Sequence, residues 1–157
     1  MSEYIFKSTV TIEAPREEVF EFFADAGNLE RITPPELNFH IVTPQPIDIH
    51  QGTLIDYKLK MRGIPMKWRT EISVWEPPVR FVDQQLRGPY SQWIHTHTFT
   101  EIGPNETLME DEVRYRLPFE PIGDIAHFFV GREVQYIFDF RRKAVEEIFQ
   151  QTRHVSS

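Results

Sequence analysis

Two histidines stand two residues apart in the segment QWIHTHTFTEI, residues 92–102. Side chains two apart on a β-strand point to the same face, so His95 and His97 would share a row with Trp93 and Phe99. The aromatic residues at its ends indicate that this row faces the interior. Imidazoles in such a row can orient a ligand, bind a metal ion or transfer protons.

The next segment, residues 107–117, carries a matching apolar row that is interrupted by one carboxylate, Asp111. A hairpin that pairs Glu101 with Thr107 sets His97 directly opposite Asp111, within reach of a hydrogen bond. A one-residue slip would turn charged side chains inward, which the apolar pattern opposes. We therefore predict an interior pair of His97 and Asp111.

Three interpretations of these residues stay open. In the first, Asp111 holds the His97 ring and the pair only fixes the strand register. In the second, the polar groups orient a ligand in an apolar pocket. In the third, His97 and Asp111 perform acid–base chemistry with help from His95, or they hold a metal ion.

The sequence favours neither a metal nor any cofactor. A His-x-His pair needs a further donor, for which Asp111 is a candidate, and no HExxH spacing, phosphate-binding loop or dinucleotide fingerprint occurs. No nucleophile elbow is present either. We lean against an enzyme on these grounds.

The elements that must position these residues are one strand, two short helices, six strands and one long helix. Alternation predicts a strand over Tyr4–Ile12, and Pro15 begins a short aromatic helix that a further turn at Asn28–Ile32 follows. The helical period returns from Asp124 to about Gln151. Six strands are predicted between them, at Phe39–Thr43, Thr53–Met61, Met66–Trp75, Arg80–Leu86, Ser91–Glu101 and Thr107–Leu117.

One of these strands has no clear inner face. In RFVDQQLRGPY, Phe81 and Asp83 alternate with Val82 and Gln84, so periodicity does not decide which set is buried. We expect Arg87 to be solvated.

Composition excludes several classes of protein. The net charge of −7 argues against nucleic-acid binding, which needs a concentrated basic face. No cysteine is present, so thiolate metal sites and disulfides are excluded, and no signal core or membrane-spanning run occurs. We expect a cytoplasmic protein without integral membrane association.

Two longer stretches resemble one known superfamily. They are IEAPREEVFEFFADAGNLERITPP and GPYSQWIHTHTFTEIGPNETLMEDEVRYRLPFEPIGD. Together with the order of elements, over about residues 4–150, they resemble the START-like or SRPBCC helix-grip superfamily, which includes polyketide cyclase/dehydrase and lipid-transport proteins. The resemblance implies one ligand-binding domain over residues 1–157. Its fold would be α+β: a curved antiparallel seven-stranded sheet wrapped around a long C-terminal helix, with two short helices after the first strand.

The resemblance also implies a cavity between sheet and helix that binds or transports a hydrophobic or aromatic small molecule. The superfamily has no universal set of catalytic residues that could be carried over to this sequence. The alternative function is a cyclase- or dehydratase-type enzyme that uses His97 and Asp111. A homodimer or an association with an epimerase-like protein are both open. The predicted ligand-binding residues are Tyr57, Trp68, Thr70, Trp93, His95, His97, Phe99, Asp111, Val113 and Tyr115.

Overall fold

The computed structural model describes residues 3–118 and 123–156. Its order of elements agrees with the prediction of one strand, short helices, six strands and a long helix. The elements are β1 (Tyr4–Ile12), α1 (Arg16–Ala24), two 3-10 helices (Ala26–Ile32 and Pro35–Leu37), β2 (His40–Ile41), β3 (Leu54–Met61), β4 (Ile64–Glu76), β5 (Arg80–Arg87), β6 (Gln92–Gly103), β7 (Glu106–Arg116) and α2 (Gly123–Ser156).

The seven strands form one antiparallel sheet in the order β1-β7-β6-β5-β4-β3-β2. The chain runs as a meander from β2 to β7, and β1 pairs with β7 at the far edge. The sheet curves around α2, which confirms the predicted α+β helix-grip fold. No helix in the described ranges is long and apolar enough to cross a membrane.

Strand boundaries depart from the prediction where turn geometry decides them. Arg62 and Gly63 both have positive φ, of 53° and 76°, and they form a two-residue turn between β3 and β4. Such turns match the twist of a hairpin, so β4 starts at Ile64 rather than at Met66. Register shifts between β4 and β5 then bring Trp75 inside, where its ring packs 5.6 Å from that of Phe81.

The interior of the described ranges contains three packed clusters, the smallest of which groups Ala26, Ile55 and Ile72. One lies under α1 and includes Phe20, Phe23 and Phe99. Another joins Val113 of β7 to Val134 and other residues of α2. A cavity lies where these clusters meet, and its lining includes Ile32 of the cluster under α1, Phe138 of the cluster on α2 and Tyr57 beside the smallest cluster.

Candidate functional site

The cavity has a volume of about 160 Å³ and lies between strands β3 to β6, the 3-10 helices and α2. Its walls are mostly aromatic and aliphatic, and one corner is polar. The lining residues are Leu29, Ile32, Thr33, Leu37, Phe39, Tyr57, Leu59, Met61, Trp68, Thr70, Asp83, Tyr90, Trp93, His95, His97, Ile137, Phe138 and Arg141.

Six of the ten predicted ligand-binding residues line this cavity: Tyr57, Trp68, Thr70, Trp93, His95 and His97. The other four do not. Phe99 belongs to the cluster under α1, whereas Val113 and Tyr115 pack in the cluster on α2. Asp111 is buried behind the histidines, where it contacts His95 instead of the cavity.

The predicted register between β6 and β7 is confirmed, with Glu101 opposite Thr107 and His97 opposite Asp111. The hydrogen bonds, however, run diagonally across the strands. His95 Nε2 lies 2.6 Å from Asp111 Oδ1, and His97 Nε2 lies 2.6 Å from Asp83 Oδ2 on β5.

The diagonal arrangement has a physical cause in the neighbours of His97. Phe81 faces His97 across the β5–β6 ladder, and the two rings stack with centroids 4.1 Å apart. The His95 and His97 rings also stack, 3.7 Å apart. Held between these two rings, His97 directs Nε2 toward Asp83 and keeps only Nδ1 on the Asp111 side, 3.4 Å from its carboxylate.

Arg141 on α2 completes the polar cluster. Its Nη2 donates to Asp111 Oδ1 and to His97 Nδ1, each at 3.2 Å. Because a carboxylate can only accept, His97 donates from Nε2 to Asp83, and its Nδ1 is then free to accept from Arg141. His95 donates from Nε2 to Asp111, while its Nδ1 stands 3.7 Å from Asp83, beyond hydrogen-bond distance.

The two carboxylates of the cluster are ionised. Burial alone would raise the pKa of Asp111, but the Arg141 charge and the His95 hydrogen bond hold it well below its usual range. The pKa of Asp83 is lowered too, because His95 and the hydrogen bond from His97 outweigh burial. Burial, followed by the neighbouring His95, lowers the pKa of His97 to about 4. The cluster therefore holds two ionised carboxylates beside the Arg141 guanidinium, with His97 neutral at physiological pH.

Asp83 and Arg141 are the site residues that sequence reasoning missed. Asp83 alternates with buried Phe81 on β5, but Val82 of the opposite set is buried as well, so the pattern alone was ambiguous. Arg141 offers a clearer signal. It falls at helical spacing between Phe138 and Val145 on the buried stripe of α2, where a charged residue needs a buried partner.

Asp83, His95 and His97 also offer the atom types of a metal site. One ligand atom from each lies within 4.8 Å of the others, and two imidazoles with one carboxylate suit zinc or ferrous iron. However, Asp83 Oδ2 and His97 Nε2 are hydrogen-bonded at 2.6 Å. This distance is shorter than the separation of two ligand atoms on one tetrahedral metal ion. The residue types fit a metal, but their spacing fits a hydrogen-bonded network.

The sequence and the fold were compared with those of known proteins. Residues 12–140 match the family described as polyketide cyclase/dehydrase and lipid transport, while no curated protein matches the sequence significantly. Among solved structures, Zhui aromatase/cyclase from Streptomyces sp. R1128 has a TM-score of 0.77 at 17% identity, covering 96% of this chain and 95% of that one.

Two further structures share the fold. A START superfamily protein from Mycobacterium smegmatis has a TM-score of 0.70 at 13% identity, over 92% of this chain and 98% of that one. A Thalictrum flavum norcoclaurine synthase point mutant, in complex with a transition-state analogue, has a TM-score of 0.71 at 10% identity, with 97% of both chains covered. At such identities the similarity concerns the fold alone. The family match spans most of the sequence, and the chain therefore belongs to the polyketide cyclase/dehydrase and lipid transport family of START-like proteins.

Proposed function

We propose that this protein binds a small, mostly apolar molecule in its internal cavity. The observation that carries the proposal is a hollow of about 160 Å³ with aromatic and aliphatic walls and one polar corner. Small-molecule sites in proteins combine an apolar lining with a few placed polar groups in this way. The apolar walls would supply affinity, and the polar corner would fix the orientation of the ligand.

The volume limits the size of the ligand. An apolar cavity of about 150 Å³ accepts one benzene molecule, whereas sites for drug-sized ligands measure roughly 300–1,000 Å³. The ligand that fits without movement of the walls is therefore a single aromatic ring with a short substituent. A lipid-sized ligand exceeds this volume and would have to extend beyond it.

The polar corner offers anchors to such a ligand. Tyr57 lines the cavity, and its hydroxyl has no hydrogen-bond partner within residues 3–118 and 123–156. Burial raises the pKa of Tyr57, so the hydroxyl stays protonated. Together with Asp83 and the free Nδ1 of His95, it can orient one polar substituent of the ring.

The binding proposal is tested by filling the cavity. Leu59 points into it, whereas Leu54 on the same strand points outward and is 44% exposed. We expect Leu59→Trp to abolish binding of toluene and benzyl alcohol in calorimetric titrations, because the new indole occupies their space. Leu54→Trp should bind both probes like the unmodified protein. Equal binding by the two variants would show that the probes bind elsewhere.

The geometry also favours a second candidate, acid–base catalysis by His95. Asp111 accepts a hydrogen bond from His95 Nε2, which fixes the tautomer and leaves Nδ1 as a base beside the cavity. Both nitrogens of His97 are engaged, so the base expected from the sequence at His97 is proposed at His95 instead. A nitrobenzisoxazole, whose ring opens when a proton is removed, tests this candidate. Catalysed opening should disappear in His95→Gln, and a rate no higher than that of free imidazole in the unmodified protein would rule it out.

A further inference from the structure

We propose that the ligand of this cavity is a cationic amine carried on a single aromatic ring, with its ammonium group bound at Asp83. This inference rests on the proposed binding function and specifies the polar group of the ligand. It follows from counting which hydrogen-bond donors and acceptors of the polar corner are still available.

The donors of the two imidazoles are already used. His95 donates a hydrogen bond from Nε2 to Asp111, and His97 donates one from Nε2 to Asp83. The remaining nitrogen of His97 accepts from Arg141. What stays available is mainly acceptor capacity, namely His95 Nδ1 and the carboxylate of Asp83, along with the Tyr57 hydroxyl. On the donor side, the buried Nε of Arg141 has no partner among the described residues.

Asp83 is the most accessible charged group of the cluster. Its side chain is 20% exposed, compared with 7% for Asp111 and 10% for Arg141. Asp83 lines the cavity, whereas Asp111 does not. An ammonium group that enters the polar corner therefore meets an ionised carboxylate, which compensates the cost of removing that cation from water.

An anionic ligand would meet a less favourable charge in this corner than a cationic one. Arg141 is the one lysine or arginine among the described lining residues. Its Nη2 is shared between Asp111 and His97, which leaves Nε as the donor without a partner in the described ranges. Its guanidinium also lies over the rings of Phe23 and Phe138, at 5.1 and 5.7 Å from their centroids. A carboxylate on the ligand would add a third negative group beside Asp83 and Asp111.

The aromatic walls favour a cation as well. Trp68 and Trp93 both line the cavity and meet edge to face, with centroids 5.5 Å apart. The faces of tryptophan rings attract ammonium groups, and more strongly where water is excluded. An ammonium on a short arm next to an aromatic ring thus matches both the charge of the corner and the nature of the walls.

Four probes of one ring size test the proposal, with EDTA present: benzylamine, benzyl alcohol, toluene and benzoate. At neutral pH we expect benzylammonium to bind about tenfold or more tightly than benzyl alcohol, as a charge-assisted hydrogen bond allows, and benzoate to bind weakest. If benzoate binds tightest, the proposal fails and Arg141 becomes the anchor. If benzylamine and benzoate both bind no better than toluene, the amine proposal fails while the binding function stands. If none of the four binds, the proposed function itself fails.

Variants locate the charge that is responsible. Asp83→Asn should abolish the preference for benzylammonium while leaving toluene binding intact, which also shows that the variant is folded. Asp56→Asn is the matched control, because Asp56 is an aspartate on β3 whose partner is Arg69, at 2.9 Å, and it does not line the cavity. A preference that survives Asp83→Asn overturns the proposal. Should Asp83→Asn fail to fold, the order of affinities in the unmodified protein decides the question alone.

Discussion

Asp111 accepts hydrogen bonds from His95 and from Arg141, and all three side chains are buried. Removing one partner of a buried ion pair leaves the other charge without compensation and costs about 3–5 kcal/mol. We therefore expect Asp111→Ala to lower the free energy of unfolding by about that amount. Urea unfolding followed by circular dichroism measures this change.

Glu112, the next residue on β7, provides the control. Its side chain is 38% exposed and forms a 3.8 Å surface pair with Lys7. Such pairs contribute about 0–1 kcal/mol, so Glu112→Ala should change the unfolding free energy little. Similar losses in the two variants would contradict the buried network described for Asp111.

The lowered pKa of His97 makes the stability of the folded protein depend on pH. An unfolded histidine takes up its proton near pH 6.5, whereas burial and the neighbouring His95 lower the pKa of His97 to about 4 in the folded protein. Between these values the unfolded state binds more protons, so stability falls as the pH drops. We expect a loss of about 3 kcal/mol from this residue between pH 7 and pH 4.

Urea unfolding of metal-free protein at several pH values in this window checks the prediction. His97→Gln should flatten the dependence on pH, because it removes the titrating group. His40→Gln should leave it unchanged, since the His40 side chain is 74% exposed. A slope that both variants share with the unmodified protein would assign the acid sensitivity to other groups.

At the scale of elements, local patterns were sufficient for the order of strands and helices and for the hairpin register. Alternation and turn residues act over a few neighbours, and this is why His97 could be placed opposite Asp111. The diagonal bonds depend on a third strand, β5, whose two faces look alike in sequence. The role of Arg141 depends on where α2 crosses the sheet, and no local pattern encodes that position.

The buried stripe of α2 yields a prediction at this scale. Phe138 is 4% exposed and packs against Phe6 and His95, whereas Phe129 on the same helix is 64% exposed. Phe138→Ala should lower the unfolding free energy by about 3–5 kcal/mol, because it enlarges the cavity next to the polar corner. Phe129→Ala should stay within about 0.5 kcal/mol. Guanidinium unfolding of both variants measures the difference, and equal losses would mean that α2 presents another face to the sheet.

At the scale of the whole molecule, the sequence implied a hollow only through its resemblance to a family. Thirteen phenylalanines can fill a core as well as line a cavity. The outcome depends on how far the sheet bends away from α2, which is a sum of small twists and bulges over all seven strands. Three packed clusters surround the cavity, and this gap lacks the packing contacts that a filled interior would have.

A ligand that fills this gap should therefore stabilise the folded protein as a whole. A molecule that binds only the folded state adds about 2.7 kcal/mol when its concentration is 100 times its dissociation constant. For a chain of 157 residues this corresponds to a rise in the melting temperature of about 5–10 °C. Calorimetric melting with the tightest of the four ring probes measures the rise. The Leu59→Trp variant should have the same melting temperature with and without the probe. Its new indole fills the cavity, so the probe has no room to bind and cannot stabilise the folded protein.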